Sequence, residues 1–94
     1  EIPDLSGADL SGANLTGADL SGCNLEEANL TSAILCWADL SKTNLRAANF
    51  TKANLSRADL QGANLKGTVF AGAEITGADI DGAMPSVTMQ RSGH

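Results

Sequence analysis

Few side chains in this sequence have the types and spacing that catalysis requires. The sequence contains one histidine, His94, in the tail, and a single tail histidine offers no acid–base partner. Most of the serines are separated by multiples of five residues, as turn residues of a repeat would be, and no glycine-rich loop opens a helical segment. We therefore predict no catalytic residues and no enzymatic activity.

Trp37 is the single tryptophan, and it interrupts an otherwise polar surface pattern. The run Ile34-Leu35-Cys36-Trp37 stands where neighbouring segments have mostly polar residues. Leu35 keeps the apolar register, which leaves Ile34 and Trp37 on the outside. With Arg57, twenty residues later, they have the composition of an interface hot spot, and Arg57 is placed for a cation–π contact. We predict Ile34, Trp37 and Arg57 as a candidate protein-binding site. The alternative is a Trp37 that lies flat against its neighbours without a role.

The elements that position these residues repeat every five residues. A small residue, usually Ala, comes first, followed by Asp or Asn and then by a large apolar residue. The large apolar positions continue without interruption along the array. We predict that they form the structural core, which consists of Leu5, Leu10, Leu15, Leu20, Leu25, Leu30, Leu35, Leu40, Leu45, Phe50, Leu55, Leu60, Leu65, Phe70, Ile75 and Ile80.

A period of five fits neither regular secondary structure. A helix turns about 100° per residue, so a five-residue stripe drifts around it, and a strand sends odd-spaced residues to opposite faces. A chain that turns a corner once per pentad returns every large side chain to one interior. Four pentads then close a coil of twenty residues, and the array makes about four coils. We predict an all-β solenoid with a filled core and no room inside for a ligand.

Residues twenty apart become vertical neighbours in such a solenoid. Phe50 should then stack on Phe70, and Glu26 should pair with Arg46. One side carries a column of carboxylates about 4.8 Å apart, which could attract a divalent cation. Hydrogen bonding of each Asp to its own turn is the simpler explanation, so we predict no metal site and no cofactor. The column consists of Asp19, Asp39, Asp59 and Asp79.

The unit Ala8-Asp9-Leu10-Ser11-Gly12 resembles the motif of the pentapeptide repeat family, Ala-(Asp/Asn)-Leu-X-X, and the resemblance runs from Asp4 to Ala83. It implies a right-handed quadrilateral β-helix with four pentads per coil, and mostly no catalysis. It also implies three kinds of role. Some eukaryotic arrays follow a BTB/POZ domain and serve as ubiquitin-ligase adaptors. Some bacterial members mimic DNA and act on type II topoisomerases. Others are lumenal or periplasmic proteins of photosynthetic cells.

The domain organisation follows from where the period holds. We predict a lead-in at residues 1–3, the pentapeptide-repeat β-helix at 4–83, and a C-terminal cap with a frayed tail at 84–94.

The net charge of −5 argues against nucleic acid or an anionic membrane surface as a partner. No apolar run approaches the roughly 20 residues needed to span a bilayer. We expect a cytoplasmic protein, with a lumenal or periplasmic location as the alternative.

The function predicted from these features is a non-enzymatic rigid scaffold that presents a surface to a protein partner. We expect it to be one domain of a larger adaptor, with a BTB-containing ubiquitin-ligase adaptor as the specific form. The alternatives are a DNA-mimicking topoisomerase-binding protein and a stand-alone lumenal or periplasmic protein of a photosynthetic cell. No polar cap precedes the first coil, so end-to-end self-association through that coil is a further expectation.

Overall fold

The structure, a computed structural model, describes residues 2–84, and one local arrangement recurs along that whole range. In the first unit, the Ala8 N–H donates a hydrogen bond to the Leu5 carbonyl at 3.0 Å, and Ser6 and Gly7 form the turn between them. Gly7 has a φ of 69°. A positive φ at the third residue of a turn is the signature of type II. Each pentad is therefore a short extended segment followed by a tight corner.

The third residue of every turn has a positive φ, whatever its side chain. Glycine provides nine of these corners and other residues provide seven. The left-handed region costs an L-residue with a Cβ about 1–2 kcal/mol, whereas glycine adopts it freely. The seven non-glycine corners form an unbroken run in the middle of the array, at Glu27, Ser32, Trp37, Lys42, Ala47, Lys52 and Arg57.

Successive coils are joined by parallel backbone pairing between residues twenty apart, from Asp4 with Asn24 to Asn64 with Met84. The Leu5 N–H donates to the Asn24 carbonyl at 2.8 Å, and the Asn24 N–H donates to the Pro3 carbonyl at 3.0 Å. Each pairing is an isolated bridge at the Asp or Asn position, and residues 2–84 contain no helix and no longer strand. Two residues of each pentad are taken up by the turn, which leaves too little extended chain for a continuous strand.

The core runs along the axis of the solenoid. The small residues two positions before each of the central large residues, which are alanines except for Cys23 and Thr43, are buried with them. The buried large residues are Leu25, Leu30, Leu35, Leu40, Leu45, Phe50, Leu55, Leu60 and Leu65. Those partly buried against them are Leu5, Leu10, Leu15, Leu20, Phe70, Ile75 and Ile80.

Two threonines in the small-residue column satisfy their hydroxyls within the backbone. The Thr43 hydroxyl donates to the Leu40 carbonyl and the Thr68 hydroxyl to the Leu45 carbonyl, both at 2.7 Å. A buried hydroxyl without a partner would cost about 1–3 kcal/mol, so these bonds make threonine compatible with the core.

The structure bears on the predicted coil and on two predicted contacts between coils. The period of five does produce one corner per pentad and a twenty-residue coil, and none of residues 2–84 is helical. The predicted Phe50–Phe70 stack and Glu26–Arg46 ion pair are both present. The handedness of the winding stays a prediction from the family resemblance. The predicted C-terminal cap lies outside the described residues except for Met84, and so does His94.

Candidate protein-binding site

The acidic column is built from side chains that close their own turns. Asp19 Oδ1 accepts hydrogen bonds from the Ser21 hydroxyl at 2.7 Å and from the Ser21 N–H at 3.1 Å, and Asp39 is bonded to Ser41 in the same way. The Ser21 hydroxyl, followed by the backbone N–H, lowers the pKa of Asp19 below its usual value. The Asp19 carboxylate therefore stays charged at neutral pH. Within residues 2–84, no group of three or more His, Cys, Asp or Glu side chains could hold a metal ion.

Trp37 stands at the corner of the pentad that begins with Ala33. Its backbone φ is 62°, and 65% of the residue is exposed to solvent. Glycine occupies the same corner one coil earlier, at Gly17, and two coils later, at Gly77. The fold thus accepts glycine in this corner column, and tryptophan there exposes a large apolar ring at a position where the backbone favours glycine.

Arg57 lies one coil beyond Trp37 in the same corner column, and its guanidinium carbon is 5.3 Å from the centroid of the Trp37 ring. The arginine stem passes over Gly77, where an added Cβ would come within 3.2 Å of the Arg57 Cγ. Glycine at position 77 leaves room for this stem. The contact is a cation–π pair of the kind worth about 0.5–1 kcal/mol at exposed sites.

Ile34 occupies the flat side that leads to the Trp37 corner. It pairs through its backbone with Asn14 and Asn54, which hold the polar position of their own pentads, and 40% of Ile34 is exposed. Cys36, between the two apolar residues, is half-buried with a free thiol. The predicted site residues are therefore all on the surface. Trp37 and Arg57 are in contact, and Ile34 belongs to the same pentad as Trp37.

Cys23 faces the opposite way from Cys36, into the core. It is buried in the small-residue column and has a free thiol. Burial raises the pKa of the Cys23 thiol, and the nearby Asp19 carboxylate adds a smaller effect in the same direction. A buried thiol with a raised pKa is a poor nucleophile, so Cys23 serves packing.

Two surface features lie away from the Trp37 corner. Arg46 and Glu26 form an exposed ion pair with an N–O distance of 2.6 Å. A second feature, which sequence reasoning did not identify, is an open cleft of about 410 Å³ with charged walls. The sequence could have indicated this cleft, because Lys42 shares its corner column with Gly62 and Gly82, which have no side chains to fill the space beside it. The cleft is lined by Ser41, Lys42, Asp59, Gln61, Gly62, Asp81 and Gly82.

Comparison with known proteins decides the family. A profile described as pentapeptide repeats matches residues 4–41, 28–67 and 48–83. The chain belongs to the pentapeptide repeat family. Members of this family are generally structural or interaction proteins without enzymatic activity. A comparison with curated protein sequences found no match.

Three solved pentapeptide-type structures illustrate the similarity. HetL from Nostoc sp. strain PCC 7120, involved in heterocyst differentiation regulation, is 34% identical over 93% of this chain and 47% of its own, with a TM-score of 0.69. Full-length QnrB1, a plasmid-mediated fluoroquinolone resistance protein, is 30% identical, and the match covers 85% of this chain and 45% of QnrB1, with a TM-score of 0.78. A pentapeptide repeat protein from the Arabidopsis thaliana thylakoid lumen is 34% identical, and the match covers 96% of this chain and 70% of that protein, with a TM-score of 0.51. The chain thus spans about half the length of HetL and QnrB1.

The similar proteins come from different settings, one from a plant thylakoid lumen and others from cyanobacteria. Over residues 2–84, the chain forms no helix long and apolar enough to cross a membrane.

Proposed function

We propose that this pentapeptide repeat array is a non-enzymatic scaffold that binds a protein partner through the corner formed by Trp37 and Arg57. The observation that carries the proposal is the pairing of exposure with an unfavourable backbone. Trp37 is 65% exposed at a φ of 62°, in a corner column where glycine serves at positions 17 and 77. Packing does not account for a large ring at this point, whereas partner binding does.

The backbone of residues 34–37 is hydrogen-bonded to the coil before it and to the coil after it. The Leu35 N–H donates to the Asn54 carbonyl at 2.7 Å, the Trp37 N–H donates to the Ser56 carbonyl at 3.0 Å, and the Ile34 N–H donates to the Ala13 carbonyl at 2.8 Å. A surface that is already ordered loses little conformational entropy on docking, which favours affinity. We therefore assign the array the role of a preformed platform.

The test is capture of a partner from an extract of the source cells by immobilised protein. Trp37→Ala should reduce recovery of the bound partner at least tenfold, since hot-spot residues contribute about 2 kcal/mol or more. Ser32→Ala is the matched control, because Ser32 is the preceding corner residue and also has a positive φ. Equal recovery by wild type and Trp37→Ala would remove this function.

A second candidate function is DNA mimicry towards a type II topoisomerase. The similarity to QnrB1 favours it, and so does the acidic column whose members Asp19, Asp39, Asp59 and Asp79 are paired coil by coil. Inhibition of DNA supercoiling by the purified chain, lost on replacing the four aspartates with asparagine, is the result that this function requires. Absence of inhibition at high protein excess eliminates it.

Two biological settings remain for the scaffold. The first is a cytoplasmic adaptor in which the array accompanies a BTB/POZ domain, as the family resemblance implies. The second is a lumenal or periplasmic protein of a photosynthetic cell, which the similarity to the Arabidopsis thaliana thylakoid lumen protein favours. The full reading frame distinguishes them, since the first requires an encoded BTB/POZ domain and the second an encoded targeting segment.

A further inference from the structure

The two faces of the Trp37 ring have different surroundings. Arg57, one coil towards the C-terminal end, stands over one face. The corner on the other side belongs to Gly17, and a Cβ added there would have no heavy atom within 4 Å. The indole is therefore not packed against Gly17. We call the space bounded by the Gly17 corner and the uncovered face of Trp37 the Gly17 notch.

Apart from Arg57, which lies against the other face of the Trp37 ring, the charges on the Gly17 side of the array are of one sign. Residues 1–41 contain no Lys or Arg, whereas residues 42–66 contain five such residues. The two basic side chains nearest the corner reach away from the notch, since the stem of Lys42 lies over Gly62 and that of Arg57 over Gly77. The acidic residues of the first segment are Glu1, Asp4, Asp9, Asp19, Glu26, Glu27 and Asp39.

Two of these acidic residues belong to the flat side that follows the Gly17 and Trp37 corners. Asp19 follows Gly17 by two residues, Asp39 follows Trp37 by two residues, and the two aspartates pair with each other across adjacent coils. Their turn hydrogen bonds with Ser21 and Ser41 use only Oδ1. The negative charge on this side of the array and the face of Trp37 turned away from Arg57 would both attract a cation.

We infer that the protein partner of this surface inserts a lysine or arginine side chain into the Gly17 notch, where it stacks on the uncovered face of Trp37. This inference rests on the proposed function and specifies its partner as a basic segment. Arg57 already occupies the other face of the ring, so the incoming side chain makes a cation–indole–cation stack. We expect the negative charge of this side, to which Asp19 and Asp39 contribute, to reduce the repulsion between the two cations.

Fluorescence reports on this site without interference, because Trp37 is the only tryptophan and the chain has no tyrosine. The purified chain is titrated with N-acetyl-arginine amide and N-acetyl-lysine amide, and with the neutral N-acetyl-citrulline amide as a control. Both cationic probes should change the Trp37 emission in a saturable manner, and raised salt should weaken the response. Citrulline amide should give no comparable change. An equal response to citrulline amide would overturn the inference.

Three test variants and two control variants separate the effects of charge and of space from effects on the fold. Asp19→Asn and Asp39→Asn remove charge but keep a turn acceptor, as Asn14 does with Thr16. Each should weaken probe binding about 2- to 5-fold, the range of a surface ion pair. Asp9→Asn, on another side, is the matched control and should have no such effect. Gly17→Asn places a side chain in the notch and should therefore abolish the response. Asparagine is chosen because it tolerates a positive φ and so preserves the corner. Gly12→Asn controls for the backbone change, since Gly12 has an equally open corner.

The same variants distinguish failure of this inference from failure of the proposed function. Partner capture that requires Trp37 but is unaffected by Gly17→Asn, Asp19→Asn and Asp39→Asn overturns the basic-segment inference and leaves the proposed function intact. Capture that is independent of Trp37 overturns both. Capture reduced by all four substitutions, together with a selective response to the cationic probes, supports both.

Discussion

The rings of Phe50 and Phe70 stack inside the solenoid with their centroids 5.4 Å apart and their planes within 2° of parallel. The two residues are twenty apart in sequence, so each occupies the large apolar position of its own coil. Phe50 is fully buried and Phe70 is partly buried. The stack therefore joins the buried centre of the core to the coil that follows it.

Replacement of these rings by leucine, the residue at most equivalent positions, should reveal their coupling. Phe50→Leu and Phe70→Leu each remove the stack, so the double variant should lose less stability than the sum of the single variants. We expect a coupling free energy of about 0.5–1.5 kcal/mol from urea unfolding of the four proteins. Additivity within about 0.3 kcal/mol would mean that the rings pack independently.

The corner residues make a second prediction about stability. Ala47 has a φ of 60°, and Ala47→Gly relieves this conformation without removing a large side chain. We expect the free energy of unfolding to rise by about 0.5–1 kcal/mol, since the left-handed penalty exceeds the added entropy of glycine. Gly12→Ala should have the opposite effect, because its corner has space for a Cβ but a φ of 71°. Destabilisation by Ala47→Gly would contradict the strain argument.

The aspartates Asp4, Asp9 and Asp19 should make the stability of the fold depend on pH in the acid range. Hydrogen bonds from the Ser6 and Ser11 hydroxyls, and then from the backbone N–H groups of the same serines, lower the pKa values of Asp4 and Asp9, as Ser21 does for Asp19. A lowered folded-state pKa means that the unfolded chain binds the proton first. The stabilisation is therefore present above the unfolded pKa of about 3.9 and is lost as the pH falls through the folded value. Thermal unfolding should show a falling Tm below about pH 4.

An asparagine triple variant is the control for that pH dependence. Asn14 already accepts the same two hydrogen bonds from Thr16, at 3.2 and 2.7 Å, so replacing Asp4, Asp9 and Asp19 by asparagine should preserve the turns. Its Tm should fall less steeply between pH 4 and pH 2 than that of the wild type. Equal slopes for the two proteins would show that other groups cause the acid sensitivity.

The sequence predicted the coil because the period of five leaves few alternatives. Leu35 could be assigned to the interior and Trp37 to the surface from register alone, and the pairing of residues twenty apart placed Arg57 beside Trp37. The polar side of each pentad was also predictable, since Asp and Asn close turns through their own backbone.

Other features required coordinates. The positive φ of Glu27 or Lys52 is not what these residues prefer in isolation, and it is imposed by the coils on either side. The direction of the Arg57 side chain depends on the space that Gly77 leaves, and the uncovered face of Trp37 depends on the absence of a side chain at Gly17. Such vertical relationships become visible only when the coils are stacked.

The central claim is that Trp37 is present for binding and that the fold does not require it. Its most direct test is the free energy of unfolding of Trp37→Gly, followed in urea by far-UV circular dichroism. Glycine relieves the positive φ at this corner, a net gain of about 0.5–1 kcal/mol once its added entropy is included, and removes the Arg57 contact, a loss of about 0.5–1 kcal/mol. We predict a stability within about 0.5 kcal/mol of that of the wild type. A loss of more than about 1 kcal/mol would show that Trp37 stabilises the solenoid and would contradict the account.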